Sequence, residues 1–190
     1  MFDSNRLQRL QQAPLWDFAL ALYAQPGIEE ASLLLQDTAG ADVCELLFHG
    51  WLYQHGLQVN PAALVAIRQA RLSWQQSVTE TLRQLRRDLK PQAVESDSIA
   101  SLRKTIQQAE LQAERENLQR WQVWAWQATP DNQRLMNNDI SPREVARWLR
   151  DILFFSTLDQ SGVVPPSAQK SVFASLQVVA RQLDRLGSSR

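Results

Sequence analysis

Residues 61–90 read PAALVAIRQARLSWQQSVTETLRQLRRDLK, and the spacing of their apolar positions decides the fold. Ile67, Trp74, Val78, Leu82, Leu85 and Leu89 recur at near-heptad intervals, the pattern of a helix that seeks another helix along one side. A single surplus four-residue step breaks strict register. Asn60-Pro61 opens the segment with a capping residue followed by a proline whose missing N–H costs nothing in the first turn. After a short polar break over 91–96, Ile99, Leu102, Ile106, Ala109 and Ala113 repeat the three-four pattern toward Trp126. So short a connection makes consecutive helices neighbours, and the spacing predicts a long antiparallel helical hairpin over 61–128.

Outward from the hairpin, helix punctuation is frequent and strand alternation nearly absent. LWDFALALY follows Pro14 and ends at Pro26-Gly27, so a nearly all-apolar helix is expected over 14–23, with Trp16 inside the protein. Glu29 and Glu30 open a second helix over 28–37, stopped near Gly40. Asp42 with Glu45 three residues on reads as a capping box for a third, closed by Gly56. Beyond the hairpin, 129–138 reads as a loop. Ser141-Pro142-Arg143-Glu144 is a second capping box for a helix over 142–158, 162–167 is a linker, and a last helix spans 168–186 before a frayed tail at 187–190. The expectation is an all-α fold, a bundle of about seven helices forming one domain over 1–190.

Composition narrows the function classes. The chain has 190 residues, with twenty Lys and Arg balancing twenty Asp and Glu, so no global field recruits nucleic acid or anionic lipid. One cysteine, Cys44, builds no disulfide framework. Neither a signal-peptide core nor an apolar run of membrane-spanning length occurs, which favours a cytoplasmic protein that makes no membrane contact.

The stretch LWDFALALYAQPGIEEASLLLQDTAGADVCELLFHGWL, residues 15–52, resembles the opening of an uncharacterised proteobacterial family known as a domain of unknown function. The resemblance rests on Leu15-Trp16-Asp17-Phe18, Tyr23, Pro26-Gly27, Leu35-Gln36-Asp37, Gly40-Ala41-Asp42-Val43 and Leu46-Leu47-Phe48. It continues through LRQLRRDLK at 82–90 and AELQAERENL at 109–118. Ser32 and Cys44 stand where members often carry Cys and Asn. The resemblance implies a bacterial source and brings no activity, cofactor or partner with it.

Candidate sites compete with structural readings. Asp17 is the only charge in its apolar helix, a candidate for proton transfer among Trp16, Phe18 and Tyr23, yet it also suits the helix dipole. Asp42 reads foremost as a cap. Glu110 and Glu114, at i and i+4, share one face. A divalent ion or acid–base work is conceivable for them, but an ion pair between Glu114 and Arg71, opposite it in the hairpin, is the cheaper explanation. Glu45 and His49 share a face as well, but His55 is the only other imidazole and points about 120° away on an ideal helix, so neither a metal nor a cofactor is expected.

Arg83, Arg86, Arg87, Lys90, Arg103 and Lys104 crowd the hairpin tip as a local patch for RNA or ribosome phosphates, or as a solvated face. Trp121, Trp124 and Trp126 load the second half with rings that one helix face cannot bury, and Trp is a frequent interface anchor. The favoured function is a non-catalytic helical interaction module whose partner is another protein. The alternatives are a small helix-bundle enzyme using Asp17, Asp42 and Glu110, or an RNA- or ribosome-associated factor using the basic tip. Because two His and one Cys cannot complete a structural zinc shell, a strong chelator is expected to leave the thermal midpoint unchanged, which differential scanning calorimetry of the purified chain will check.

Overall fold

A computed structural model describes residues 5–137, 139–155 and 166–188. Among them the helices are α1 (Arg6–Gln12), α2 (Leu15–Tyr23), α3 (Ile28–Ala39), α4 (Val43–Gln54), α5 (Pro61–Trp74), α6 (Thr81–Asp88), α7 (Asp97–Gln127), α8 (Pro142–Arg150) and α9 (Gln169–Ser188). A π-helical segment, Gln75–Glu80, joins α5 to α6, and a second one, Asp151–Phe155, follows α8. The chain is an all-α bundle. The expected end of the sixth helix beyond 155, most of the 162–167 linker and the last two residues lie outside the described residues.

The hairpin forms at the anticipated level. Trp74 Nε1 donates to the Ala113 carbonyl at 3.1 Å, and Arg71 Nε to Asn117 Oδ1 at 2.8 Å, so α5 and α6 run antiparallel to α7. The surplus four-residue step falls where Gln75–Glu80 opens into a wider turn. Consecutive steps of four from Trp74 to Val78 to Leu82 would carry the apolar stripe around an α-helix. A turn with i to i+5 bonding absorbs the extra residue and keeps the stripe on α7.

Two departures from the sequence reading share one cause. Residues 6–12 form α1 although their pattern is weakly apolar, because buried Arg6 reaches the far end of α7. Arg6 donates to the carbonyls of Ala125 at 2.7 Å and Ala128 at 3.1 Å, covering acceptors at the end of α7, and to Gln133 Oε1 at 2.5 Å. Gln133 belongs to β2 (Gln133–Leu135), which pairs antiparallel with β1 (Leu57–Val59), Leu57 opposite Leu135. Three-residue strands carry too little periodicity to be read from sequence, and long-range pairing alone creates this ribbon.

The core lies between α2, α4, α8, α9 and the C-terminal half of α7. Phe48 stacks on Trp121 with centroids 4.3 Å apart, and both are fully buried. Gly50 lets α4 close on its neighbours: a Cβ there would meet Leu183 Cδ2 at 3.1 Å and Phe18 at 3.4 Å. Gly40, at φ 64°, ends α3 in the left-handed conformation and donates to the Gln36 carbonyl. α2 is less interior than its composition suggests. Leu15, Phe18, Ala19 and Leu22 face the core, whereas Leu20 and Tyr23 are exposed and Trp16 is half-buried beneath the Arg115 guanidinium. Trp121→Ala is expected to cost about 3–5 kcal/mol and Trp16→Ala distinctly less, because only the first leaves a closed cavity; urea unfolding of both variants checks the order.

Candidate functional site

A cleft of about 340 Å³ opens where the end of α3, the start of α4, α5 and the π-helical segment meet. Its wall carries Arg68, Arg71 and Arg83 together with Asp42, Glu45 and Glu80. Arg71 occupies the position in the run Leu64, Ile67, Arg71, Trp74 where the hairpin seam calls for an apolar side chain, and it is buried. That misplaced charge is the signal by which sequence reasoning can find the site.

Each arginine is fixed by acids from another helix. Asp42 caps α4, accepting from Glu45 N at 3.2 Å, and takes Arg71 Nη2 on its other oxygen at 2.9 Å. Only half of the expected capping box therefore forms, because the Glu45 side chain turns inward. Glu45 accepts both Nε, at 3.0 Å, and Nη2 of Arg68, and lies 3.3 Å from His49 Nε2. Arg68 also donates to the Ile152 carbonyl at 2.7 Å, tying α5 to the segment after α8. Burial pushes the Glu45 carboxyl up, but hydrogen bonds from His49 and Arg68 more than offset it, so the group stays below the usual carboxylate range. His49 is fully buried, edge-on to Trp148 at 5.9 Å.

The expected pairing of Glu114 with Arg71 is replaced by another. Arg71 turns toward Asp42 and Asn117, and its guanidinium carbon lies 3.8 Å from the Trp121 ring centre. Arg83, from α6, reaches back to Glu114 at 2.8 Å and to Glu110 at 3.0 Å. Arg86 closes on Glu110 at 2.5 Å. Burial raises the Glu110 carboxyl while Arg86 and Arg83 pull it below its ordinary value. Glu114, with Arg83 alone against burial and two neighbouring acids, is raised.

The structure thus pairs Asp42 with Arg71, gathers Glu110 and Glu114 into a network with Arg83 and Arg86, and leaves Asp17 outside both, exposed in the first turn of α2 rather than enclosed by aromatic rings. Arg83 and Arg86 are consumed by that network. Arg87 pairs with Asp37 at the surface at 2.9 Å, Arg103 donates to the Arg86 carbonyl at 3.1 Å, and Lys104 is exposed. Of the tryptophans, Trp121 is wholly internal, while Trp124 and Trp126 are half-buried against the core. Among the described residues, no group of three or more His, Cys, Asp or Glu gathers as a metal shell requires, and no helix is long and apolar enough to cross a membrane.

The family model described as "Protein of unknown function (DUF2390)" matches residues 14–121, more than half of the chain, and the chain belongs to that family. The match takes in the cleft and the whole hairpin up to Trp121. No curated protein and no solved structure matches the chain.

The network has a pH signature. A carboxyl whose folded pKa is depressed adds stability above its unfolded pKa and loses it as pH falls through the folded value, and Glu45 and Glu110 are of this kind. Stability is therefore expected to fall on acidification below about pH 4.3, the ordinary glutamate value, and Glu45→Gln to flatten that fall. Arg68→Ala, which strands a buried carboxylate, is expected to cost about 3–5 kcal/mol at neutral pH. Urea titrations across the pH range test both.

Proposed function

Since the family description assigns no activity, we propose from the geometry that the chain is a non-catalytic helical interaction module whose hairpin arm engages another protein. One observation carries this reading. α6 buries none of its residues, and Leu85 and Leu102 stay 45% and 51% exposed. They stand at the same level of the arm, because the pairings of Trp74 with Ala113 and Arg86 with Arg103 set residue numbers that sum near 187–189 opposite one another. A two-helix arm covers only one side of its seam, and a third element is needed to cover the other.

The distribution of charge supports the same reading. The acids of the enzyme alternative are held in ion pairs or exposed alone, and two arginines of the basic tip are neutralised by Glu110 and Glu114. Arg87, Lys90, Arg103 and Lys104 remain as the residues that a phosphate backbone would meet.

Affinity capture from a lysate of the source organism, at two salt concentrations, tests the proposal. Leu85→Glu with Leu102→Glu is expected to abolish recovery of a protein partner while leaving the thermal midpoint nearly unchanged, since both side chains are largely solvated. Charge reversal at Arg87, Arg103 and Lys104 is expected to leave that partner bound. Recovery of nucleic acid that disappears with this reversal, or with added salt, favours the RNA-associated alternative instead. Retention of the same partner by the leucine variant refutes the arm as the binding surface.

A further inference from the structure

We propose that the cleft at the root of the arm is a binding site for a small zwitterion, a molecule carrying both a carboxylate and a protonated amine. The inference is independent of the arm's protein partner.

The volume, about 340 Å³, lies within the range of sites for small molecules, and eight of the eleven residues that line it are polar or charged. Its formal charges cancel, Arg68, Arg71 and Arg83 against Asp42, Glu45 and Glu80. A ligand of net charge gains nothing from such a wall, whereas a molecule with separated opposite charges meets both signs.

Two groups on the wall keep unspent capacity. Arg71, only 4% exposed, commits Nε to Asn117 and Nη2 to Asp42, and its Nη1 has no hydrogen-bond partner among the described residues. That nitrogen belongs to a guanidinium locked between the Trp121 ring and two acceptors, so its donors are held in place without a further entropy cost on binding. That nitrogen keeps solvent contact, unlike the sealed polar atoms of the interior, so it can donate to an incoming ligand oxygen. Glu80 has no ion-pair or hydrogen-bond partner among the described residues and supplies the acceptor for an ammonium group. Leu72 lends an apolar stretch between them. The site borders the π-helical turn of Gln75–Glu80, a local geometry that recurs at functional sites.

The test is calorimetric titration of the full chain with the common α-amino acids and with a set of di- and tripeptides, which differ in the distance between ammonium and carboxylate. Saturable binding by one class is expected. N-acetylated or C-amidated forms of the same molecule should bind about tenfold more weakly or worse, because each loses one charge-assisted hydrogen bond. Glu80→Gln is expected to weaken binding similarly, and Leu72→Trp, which fills the cleft, to abolish it. Both positions are exposed, so circular dichroism melting should match the wild type. Absence of binding by every zwitterion overturns the proposal. So does equal binding of the blocked forms, or binding undiminished in Leu72→Trp.

Discussion

Trp121 is the constraint on which the rest of the structure depends. The Phe48 ring lies 4.3 Å from it and the Arg71 guanidinium 3.8 Å, distances that two groups cannot share on one face, so the indole is held between them. One face belongs to the hydrophobic core and the other to the ionic network. α4, α5 and α7 are locked in register by this contact, since each contributes one layer of the sandwich. A cation stacked on a buried indole is stabilised by the ring quadrupole as well as by its acids, which helps explain how Arg71 is tolerated at a seam position.

From that junction the molecule divides into two kinds of packing. Toward α2, α8 and α9 the contacts are apolar and close, and Gly50 sits where a methyl group would collide. Toward the arm, buried charges take over: Arg68 with Glu45, Arg71 with Asp42, Arg83 and Arg86 with Glu110. Buried ion pairs add little net stability because desolvation offsets attraction, but an unmatched member is costly, so they fix geometry sharply. The arm is thereby aimed by its root while its outer half remains thinly covered. Rigidity at the base and exposed leucines beyond suit a surface that binds, and the same fixed arginines give the cleft its preformed wall.

The π-helical turn links these features. It re-phases the apolar stripe of the long helix onto α7, and it lies beside the cleft. An uninterrupted α-helix with this sequence would rotate Leu82, Leu85 and Leu89 off the seam and separate Arg83 and Arg86 from Glu110. A one-residue adjustment thus keeps both the hydrophobic and the ionic side of the arm in register.

Local patterning determined much of this protein by itself. The helical class, the antiparallel hairpin, the stops at Gly27, Gly40 and Gly56, and the capping box at Ser141 and Glu144 follow from periodicity and from backbone donors that need partners within a few residues. Tertiary structure decided what such periodicity does not encode. Which acid takes which arginine depends on where separate helices converge, so Arg71 went to Asp42 and Asn117, and Glu114 to Arg83. Asp17 lies outside the core although its helix is apolar, because α2 buries only one face. α1 and the strand pair exist because Arg6 and Gln133 meet carbonyls and side chains more than a hundred residues away in sequence. Contacts of that range leave no period in the chain, and although Arg71 marks the cleft in the sequence, its pairs, such as Arg68 with Glu45 and Arg71 with Asp42, join separate helices and took shape only once those helices were packed.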